Sequence, residues 1–518
     1  MTFLPLVQRE LQAASRRKST FRLRSWTAAI AFGVSFAALL FLWIFMSGTN
    51  PGGPVFTIVS SYVFGLALLA GPFLAADCIS QEKREGTLGL LCLTDLRAYD
   101  IILGKFVAVS LNAFYGWLSL LPILALSLLV GGISNAEFWR TALALGNTLF
   151  VSLAAGVFVS TVSRESQKAI GQTLVLLLIL TGLFPLLADL KPYPIILSLS
   201  WISPFSAFTT AREAAYSAAP SAYWTSLSCS HLVAWLFLAL SIRFLSQCWI
   251  AGGGEKQTRP ASSKTKTESV RRRRKQYLEV NPVLWFLADF RSTRSLTWGI
   301  VIVWGTFLLI ACLISTRDVV WIYGCAKACG FVLKILVAIE ACRFFTETRQ
   351  SGLFEIFLCT PLRDQDIIKG QWLALQRVFL WPLIAFLLIT FFVPALIAFW
   401  SNLSQLVPFV FGLLAGCFAF IWFAIGFAAD TFAVIWFGMW LALTVKRPQR
   451  APALTVLSVL ILPMAAFCAE KLVDIFFILW GAIKLHQDLR WTVAQQYQRP
   501  ITRPVPAVAS PPVAARHG

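Results

Sequence analysis

Long apolar runs recur along this chain, and they constrain its fold more than any other feature. Trp26–Met46, Val55–Ala76, Val107–Val130 and Ala169–Leu187 each reach span length, the roughly 20 residues needed to cross a hydrocarbon core. In lipid a backbone must satisfy its own polar groups, so runs of this length fold as helices. They lack the period-two alternation of an outer-membrane strand, which argues against a barrel. Only 13% of the 518 residues are charged, against about 25% in a soluble domain. The sequence therefore specifies an all-α, polytopic transmembrane bundle and excludes a soluble globular enzyme. Trp26, Trp139, Trp224 and Trp298 fall near span ends, where interfacial aromatics belong.

The formal net charge is +20, and its placement decides what it means. The cations lie in short hydrophilic segments between apolar runs, not interleaved with aromatics as on a nucleic-acid surface. Nucleic acid is therefore not an expected partner, and the lipid bilayer is. Met1–Arg24, Ser163–Lys168 and Ala251–Leu278, with its run Arg271–Lys275, read as cytoplasmic. The expectation is a multi-pass protein of the inner (cytoplasmic) membrane with its N-terminus in the cytoplasm. The basic stretch Arg9–Arg24 is too long for a cleavable signal, and no A-x-A site follows. Cys325 and Cys329 share a helical face but lack further ligands, so no zinc site is expected.

Along the chain, an interfacial helix over Met1–Arg24 leads into spans over Trp26–Met46, Val55–Ala76, Phe106–Val130, Trp139–Val162, Ala169–Ala188 and Leu227–Gln247. A long outer loop, Asp189–Ser226, carries prolines that favour short or re-entrant helices. Asn281–Arg294 begins the pattern again, with spans over Leu296–Ser315 and Trp321–Cys342. Apolar runs follow at Val378–Phe399, Leu406–Ala429, Thr431–Val445, Leu454–Phe467 and Leu472–Leu485. Counting all of these as crossings gives odd parity and places the C-terminal tail outside, while Lys446–Arg450 reads as cytoplasmic. A broken or re-entrant helix near Asp430 restores even parity. The division is then 1–250, a basic linker 251–278, 279–498, and a Pro/Ala-rich tail 499–518 read as disordered.

The two halves, of about six spans each, share an internal repeat. Setting Gly86 over Gly352, an offset of 266 residues, pairs Thr94 with Thr360, Leu96 with Leu362 and Arg97 with Arg363. It also pairs Asp100–Ile102 with Asp366–Ile368 and Gly104 with Gly370, without a gap. Both copies follow the second apolar run of their half and precede the third. Gly86 and Gly352 break the helix leaving the membrane, and Leu88–Leu93 or Leu353–Cys359 follows as a short apolar stretch. A turn at Asp95 or Pro361 then leads to Asp100 or Asp366, each placed to cap the next helix. Each copy reads as a short helix on the cytoplasmic surface, apolar within a charged rim, which is the composition of a protein-docking site. A helix that merely rests on headgroups is the bland alternative.

The first copy runs Glu85-Gly86-Thr87-Leu88-Gly89-Leu90-Leu91-Cys92-Leu93-Thr94-Asp95-Leu96, then Ile102-Leu103-Gly104-Lys105. The second runs Ser351-Gly352-Leu353-Phe354-Glu355-Ile356-Phe357-Leu358-Cys359-Thr360-Pro361-Leu362, then Ile368-Lys369-Gly370. Both resemble the segment E-x-G-T-L-E-L-L-L-x-T-P-L…I-L-x-G-K between the second and third spans of the membrane subunit of type-2 ABC exporters. In that family the segment is a coupling helix that fits a cleft on the ATP-binding subunit. The resemblance implies two half-permeases fused in one chain, with an ABC ATP-binding partner (two copies or a heteropair) that supplies ATP and Mg. The docking residues it implies are Glu85, Gly86, Thr87, Leu88, Leu91, Thr94, Leu96 and Arg97 in the first copy. In the second they are Gly352, Phe354, Glu355, Phe357, Thr360, Pro361, Leu362 and Arg363. The first copy departs from the pattern at Gly89 and Asp95; the second keeps Glu355 and Pro361 but has Leu353 for Thr. Two unequal docking sites follow.

Leu103-Gly104-Lys105 lacks the upstream glycine and the following Ser or Thr of a phosphate loop, so the chain itself is not expected to hydrolyse ATP. His231, His486 and His517 are scattered, and no carboxylate pair has catalytic spacing. No catalytic or metal-ligating residue is assigned, and no cofactor is expected in this chain. Of the intramembrane charges Lys327, Lys334, Glu340 and Asp430, the two acids are the functional candidates. Glu340 with Arg343 reads equally as a helix-end pair, and Lys327 with Lys334 as a face snorkelling outward. The alternative function is a membrane enzyme or scaffold using the outer loop 189–226, where Asp189 and Glu213 are the acids available.

Overall fold

A computed structural model describes residues 18–45, 52–88, 97–163, 165–185, 200–250, 281–286, 291–313, 319–354, 359–360, 362–401, 406–445, 450–463 and 470–497, together with 8 and 12. Among the described residues there are helices and no strand. Before residue 251 the order is α1 (Lys18–Phe45), α2 (Gly52–Ala70) running into a π segment (Gly71–Ala75), α3 (Ser80–Glu85), α4 (Ala98–Val130) and α5 (Asn135–Val162). Then come α6 (Ser166–Leu178) with a π segment (Ile179–Leu183), the short α7 (Pro204–Thr210) and α8 (Glu213–Ala218), and α9 (Pro220–Ile250). After residue 280 the helices are α10 (Pro282–Phe286), α11 (Arg291–Leu313), α12 (Val319–Ser351), α13 (Asp364–Ser401) and α14 (Leu406–Thr444). α15 (Ala451–Thr455) runs into a π segment (Val456–Ile461), and α16 (Glu470–Tyr497) follows. Among the described residues, six stretches are long and apolar enough to cross a membrane, within α2–α3, α4, α5, α9, α13 and α14. The chain is a multi-pass, all-α membrane protein.

Several boundaries differ from the sequence reading. Leu406–Ala429 and Thr431–Val445 are one helix, α14, which passes through Asp430 unbroken. The aspartate stays helical because its carboxylate meets Lys334 and, at 2.7 Å, Lys471, so it needs neither water nor a loop. At 1.5 Å per residue α14 is about 58 Å long, nearly twice a hydrocarbon core. The two apolar runs are thus one element, not a broken helix. α12 continues past Cys342 to Ser351, and α4 starts at Ala98, so much of each charged loop is helix. The described part of the outer loop, from residue 200, holds α7 and α8, and α9 begins at Pro220 instead of Leu227, proline being tolerated in a first turn. The interfacial helix expected over Met1–Arg24 lies largely outside the described residues, and Lys18–Arg24 form the first turns of α1. The linker Ala251–Leu278 and the tail from Arg499 lie wholly outside them.

Helix α5 is the axis of the first half. Of its most apolar stretch 78% is buried, against 28–44% in the other spanning stretches, which keep lipid-facing flanks. Small residues let neighbours approach it closely. A Cβ added at Gly71 would lie 2.0 Å from the Ser152 carbonyl oxygen, and one at Gly156 would lie 2.6 Å from the Gly71 oxygen. Ser152 fills the π segment at this contact: its Oγ accepts from Gly71 N at 2.9 Å and donates to Leu68 O at 2.6 Å.

One core joins the two halves, since Ile30, Val34 and Leu174 pack with Trp304, Leu333, Leu336 and Phe386. Helix α6 touches both α3 and α12, and Lys168 and Arg343 line a common cavity. The ends of α3 and α12 therefore lie on one side of the bundle, termed the loop face below.

Candidate functional site

Gly86 and Gly352 end α3 and α12, each with a φ of 71°. This left-handed conformation costs an L-residue about 1–2 kcal/mol. Nothing lies within 4 Å of a Cβ built on either glycine, so conformation and not space demands it. After each loop the backbone re-enters helix through the same device. Arg97 N donates to Asp100 Oδ2 at 3.1 Å, and Arg363 N donates to Asp366 Oδ2 at 3.2 Å, the reach-back bond of a capping box. The aspartates thus act one turn inside α4 and α13, not as the N-caps that spacing alone suggests. Ile101, Ile102, Ile367 and Ile368 are buried below them.

The duplication extends further upstream than the identities in sequence. Lys83 and Arg349 are equivalent at the 266-residue offset, three residues before their glycines. Lys83 Nζ donates to the carbonyl of Thr161, in the last turn of α5. Arg349 Nη1 donates to the carbonyls of Ala442, Leu443 and Val445, at the end of α14, at 2.8–2.9 Å. Last-turn carbonyls have no partner within their own helix, so both side chains satisfy groups that would otherwise be orphaned. Sequence reasoning passed over these residues because they are not identical; a basic residue at the same offset was the available signal.

Beneath the glycines the copies diverge. Lys105 and Glu82 form an ion pair at 2.7 Å that closes the base of the first loop, and Thr87 Oγ1 donates to Glu82. The equivalent positions in the second half hold Gln371 and Thr348. There Gln371 Nε2 donates to the carbonyls of Glu340 and Ala341 at 3.3 and 3.4 Å, and no charge is involved. The start of α13 is braced instead from the residue before α10, where Asn281 Nδ2 donates to Asp366 O at 2.7 Å.

Of the expected docking residues, Gly86, Arg97 and Arg363 are exposed, while Thr87, Leu88, Gly352, Thr360 and Leu362 are half-buried. Phe354 is fully buried, with its ring centroid 6.1 Å from that of Phe345. It packs against α12, away from the surface. Leu91, Thr94, Leu96, Glu355, Phe357, Pro361 and the side chain of Glu85 lie outside the described residues.

The intramembrane acids are both engaged. Glu340 is buried, accepts from Thr293 Oγ1 at 3.1 Å and lies 3.3 Å from Arg343 Nη1. It lines a cavity of about 340 Å³ between α6, α11 and α12, together with Lys168, Gln172, Ser295 and an apolar wall that includes Val175 and Leu336. Asp430 joins three helices, bonding Lys334 of α12 and Lys471 of α16, which also reaches Asp474 at 3.3 Å. Lys334 therefore turns inward to an acid, correcting the snorkelling face read for it with Lys327, which is exposed. Asp474 escaped sequence reasoning because it sits in an apolar run. Among the described residues no group of His, Cys, Asp or Glu is placed to hold a metal ion.

On the opposite face, α7 and α8 are pinned to the first turns of α5. Glu213 accepts from Arg140 and, at 3.0 Å, from Ser134. The Arg140 bond holds the Glu213 carboxyl below the usual carboxylate range. Arg140 also donates to Ala211 O at 3.3 Å and lies over the Tyr216 ring. Glu213 is thus a structural partner here, and Asp189 lies outside the described residues.

Residues 11–247 match the family model described as ABC-2 family transporter protein. No curated protein matches the chain. The match runs into α9 and so takes in every spanning stretch before the linker.

Proposed function

We propose that this chain, whose residues 11–247 match the ABC-2 family transporter model, is a permease made of two half-permeases fused in one polypeptide. A separate ABC ATP-binding subunit, as two copies or a heteropair, binds Mg-ATP and docks on the loop face. Its hydrolysis cycle moves the two loops, and the helices carry that motion to the opposite face and to a substrate. The protein sits in the inner membrane with its N-terminus and loop face in the cytoplasm.

The observation that carries this reading is the duplicated loop base. Two glycines with the same φ, two Arg–Asp reach-back caps and two cations on a helix end recur at one offset. A helix resting on headgroups has no need of matched geometry at both ends, whereas two docking sites for a symmetric partner do. A ligand cycle drives such a change only through different affinities for the two states.

Purified alone, the chain is expected to show no ATP hydrolysis; co-expressed with an ABC ATP-binding subunit, it is expected to carry that subunit through detergent purification and gain nucleotide hydrolysis. Hydrolysis by a partner-free preparation, or failure to retain any ATP-binding subunit encoded beside it, overturns the reading.

A further inference from the structure

Between a docking loop and the opposite face some element has to transmit force, and the loop bases show where it is gripped. Lys83 and Arg349 each stand three residues before the left-handed glycine. Each reaches the carbonyl end of a long helix that runs away from the loop face, α5 or α14. A helix C-terminus carries partial negative charge, so a cation with several donors holds it without the register of a side-chain pair.

The surroundings of the two contacts are built differently. In the first half the approach is interrupted by a π segment, and Ser160 Oγ of α5 accepts from Ile79 N and Ser80 N, where α3 restarts. In the second half α12 is continuous, and its Cys342 Sγ donates to Gly438 O of α14 at 3.3 Å. At the 266-residue offset Ser160 falls on Gly426 and Cys342 on Ala76. The cation on the helix end is what both halves retain, although one is Lys and the other Arg.

We infer that Lys83 and Arg349 are positioning residues that pass loop movement into α5 and α14; this rests on the reading of the loops as docking sites. In the first half the route continues to the far side of the molecule. Displacing the Thr161 end shifts α5 as a rigid element, and the other end of α5 holds α7 and α8 through Arg140, Glu213 and the Ala211 carbonyl. Tyr223 of α9 also donates to Arg140 O, at 2.9 Å. Movement of the first loop thereby reaches the short helices opposite it.

The test uses the complex of the full chain with its ATP-binding subunit in lipid nanodiscs. Hydrogen exchange of residues 204–218 is compared without nucleotide and with ATP plus vanadate. Wild type is expected to show a nucleotide-dependent change in this segment. Lys83→Met, which keeps the aliphatic stem, is expected to retain the ATP-binding subunit at the wild-type ratio and to lower the thermal midpoint only by the few degrees that one unpaired carbonyl costs, yet lose that change. Lys83→Arg is expected to restore it. Arg349→Met and Arg349→Lys are the corresponding pair, read on residues 406–416 at the far end of α14.

A full nucleotide response in Lys83→Met and Arg349→Met overturns the inference. So does loss of the partner, which would make these docking residues, or a lowered midpoint that the conservative variants do not recover, which would make them structural. If wild type itself binds no partner or shows no nucleotide response, the proposed function fails and takes this assignment with it.

Discussion

A carboxylate inside a membrane helix must find cations or leave the bilayer, and Asp430 finds two. Lys334 and Lys471 approach it from α12 and α16, with side chains of Asp430 and Lys334 only 10% and 14% exposed. Removing one member of a buried pair commonly costs roughly 3–5 kcal/mol, because the partner keeps its charge without compensation. Lys471 is 36% exposed and retains Asp474, so its share is small. Asp430→Asn is therefore expected to lower the thermal midpoint in detergent through Lys334, by an amount near the low end of that range. Removing both charges, as Lys334→Met with Asp430→Leu, is expected to recover much of the loss. The comparison of the three midpoints is the measurement, and an unchanged Asp430→Asn midpoint would show that the network contributes nothing. The same pairing explains why sequence reasoning broke a helix here. Asp430 interrupts an apolar run locally, and the lysines that keep it helical stand 96 and 41 residues away.

Helix identity was legible because apolar length and the cost of unpaired backbone in lipid leave no other structure for runs such as Val55–Ala76 or Val107–Val130. The re-entry to helix at Asp100 and Asp366 was legible too, one turn out of place, because a capping residue carries its own local signal. Where helices deform was not legible, since the π segment at Gly71 depends on Ser152 of another helix meeting it at contact distance. Phe354 reads as exposed from composition and is buried because Phe345, nine residues upstream, receives it. These dependences give a paired expectation for two glycines of one element. Gly71→Ala forces a Cβ to within 2.0 Å of the Ser152 backbone oxygen. Overpacking of this kind costs about 1–3 kcal/mol or more when the obstacle is backbone. Gly65→Ala meets nothing within 4 Å and gains up to about 1 kcal/mol of helix propensity. Expression level and thermal midpoint are expected to fall for Gly71→Ala and to hold or rise for Gly65→Ala. Equal behaviour of the two would show that the close approach of α2 and α5 does not limit stability.

Across the whole molecule, two loops of unequal chemistry share one face, and that inequality can be read out in the partner. Leu91 and Phe357 are equivalent at the 266-residue offset and fall in the apolar stretch of each loop. An unpaired charge forced into a protein contact commonly costs several kcal/mol, because it gives up its water without a counter-ion. On a free surface the same substitution stays within about half a kcal/mol. On the proposed docking, Leu91→Glu and Phe357→Glu leave the isolated chain expressing and purifying normally, while recovery of the ATP-binding subunit per permease falls. The two need not fall equally. The second loop keeps the Glu355 and Pro361 of the exporter pattern, where the first has Gly89 and Asp95. It is also fed by an unbroken 33-residue helix, whereas the approach to the first is interrupted at Gly71–Ala75 and again before Ser80. Phe357→Glu is accordingly expected to release more partner than Leu91→Glu, and the double variant more than either. The measurement is the molar ratio of ATP-binding subunit to permease after detergent pull-down. Wild-type ratios in both single variants and in the double variant would show that the partner docks elsewhere, and that the matched loop bases serve the membrane surface instead.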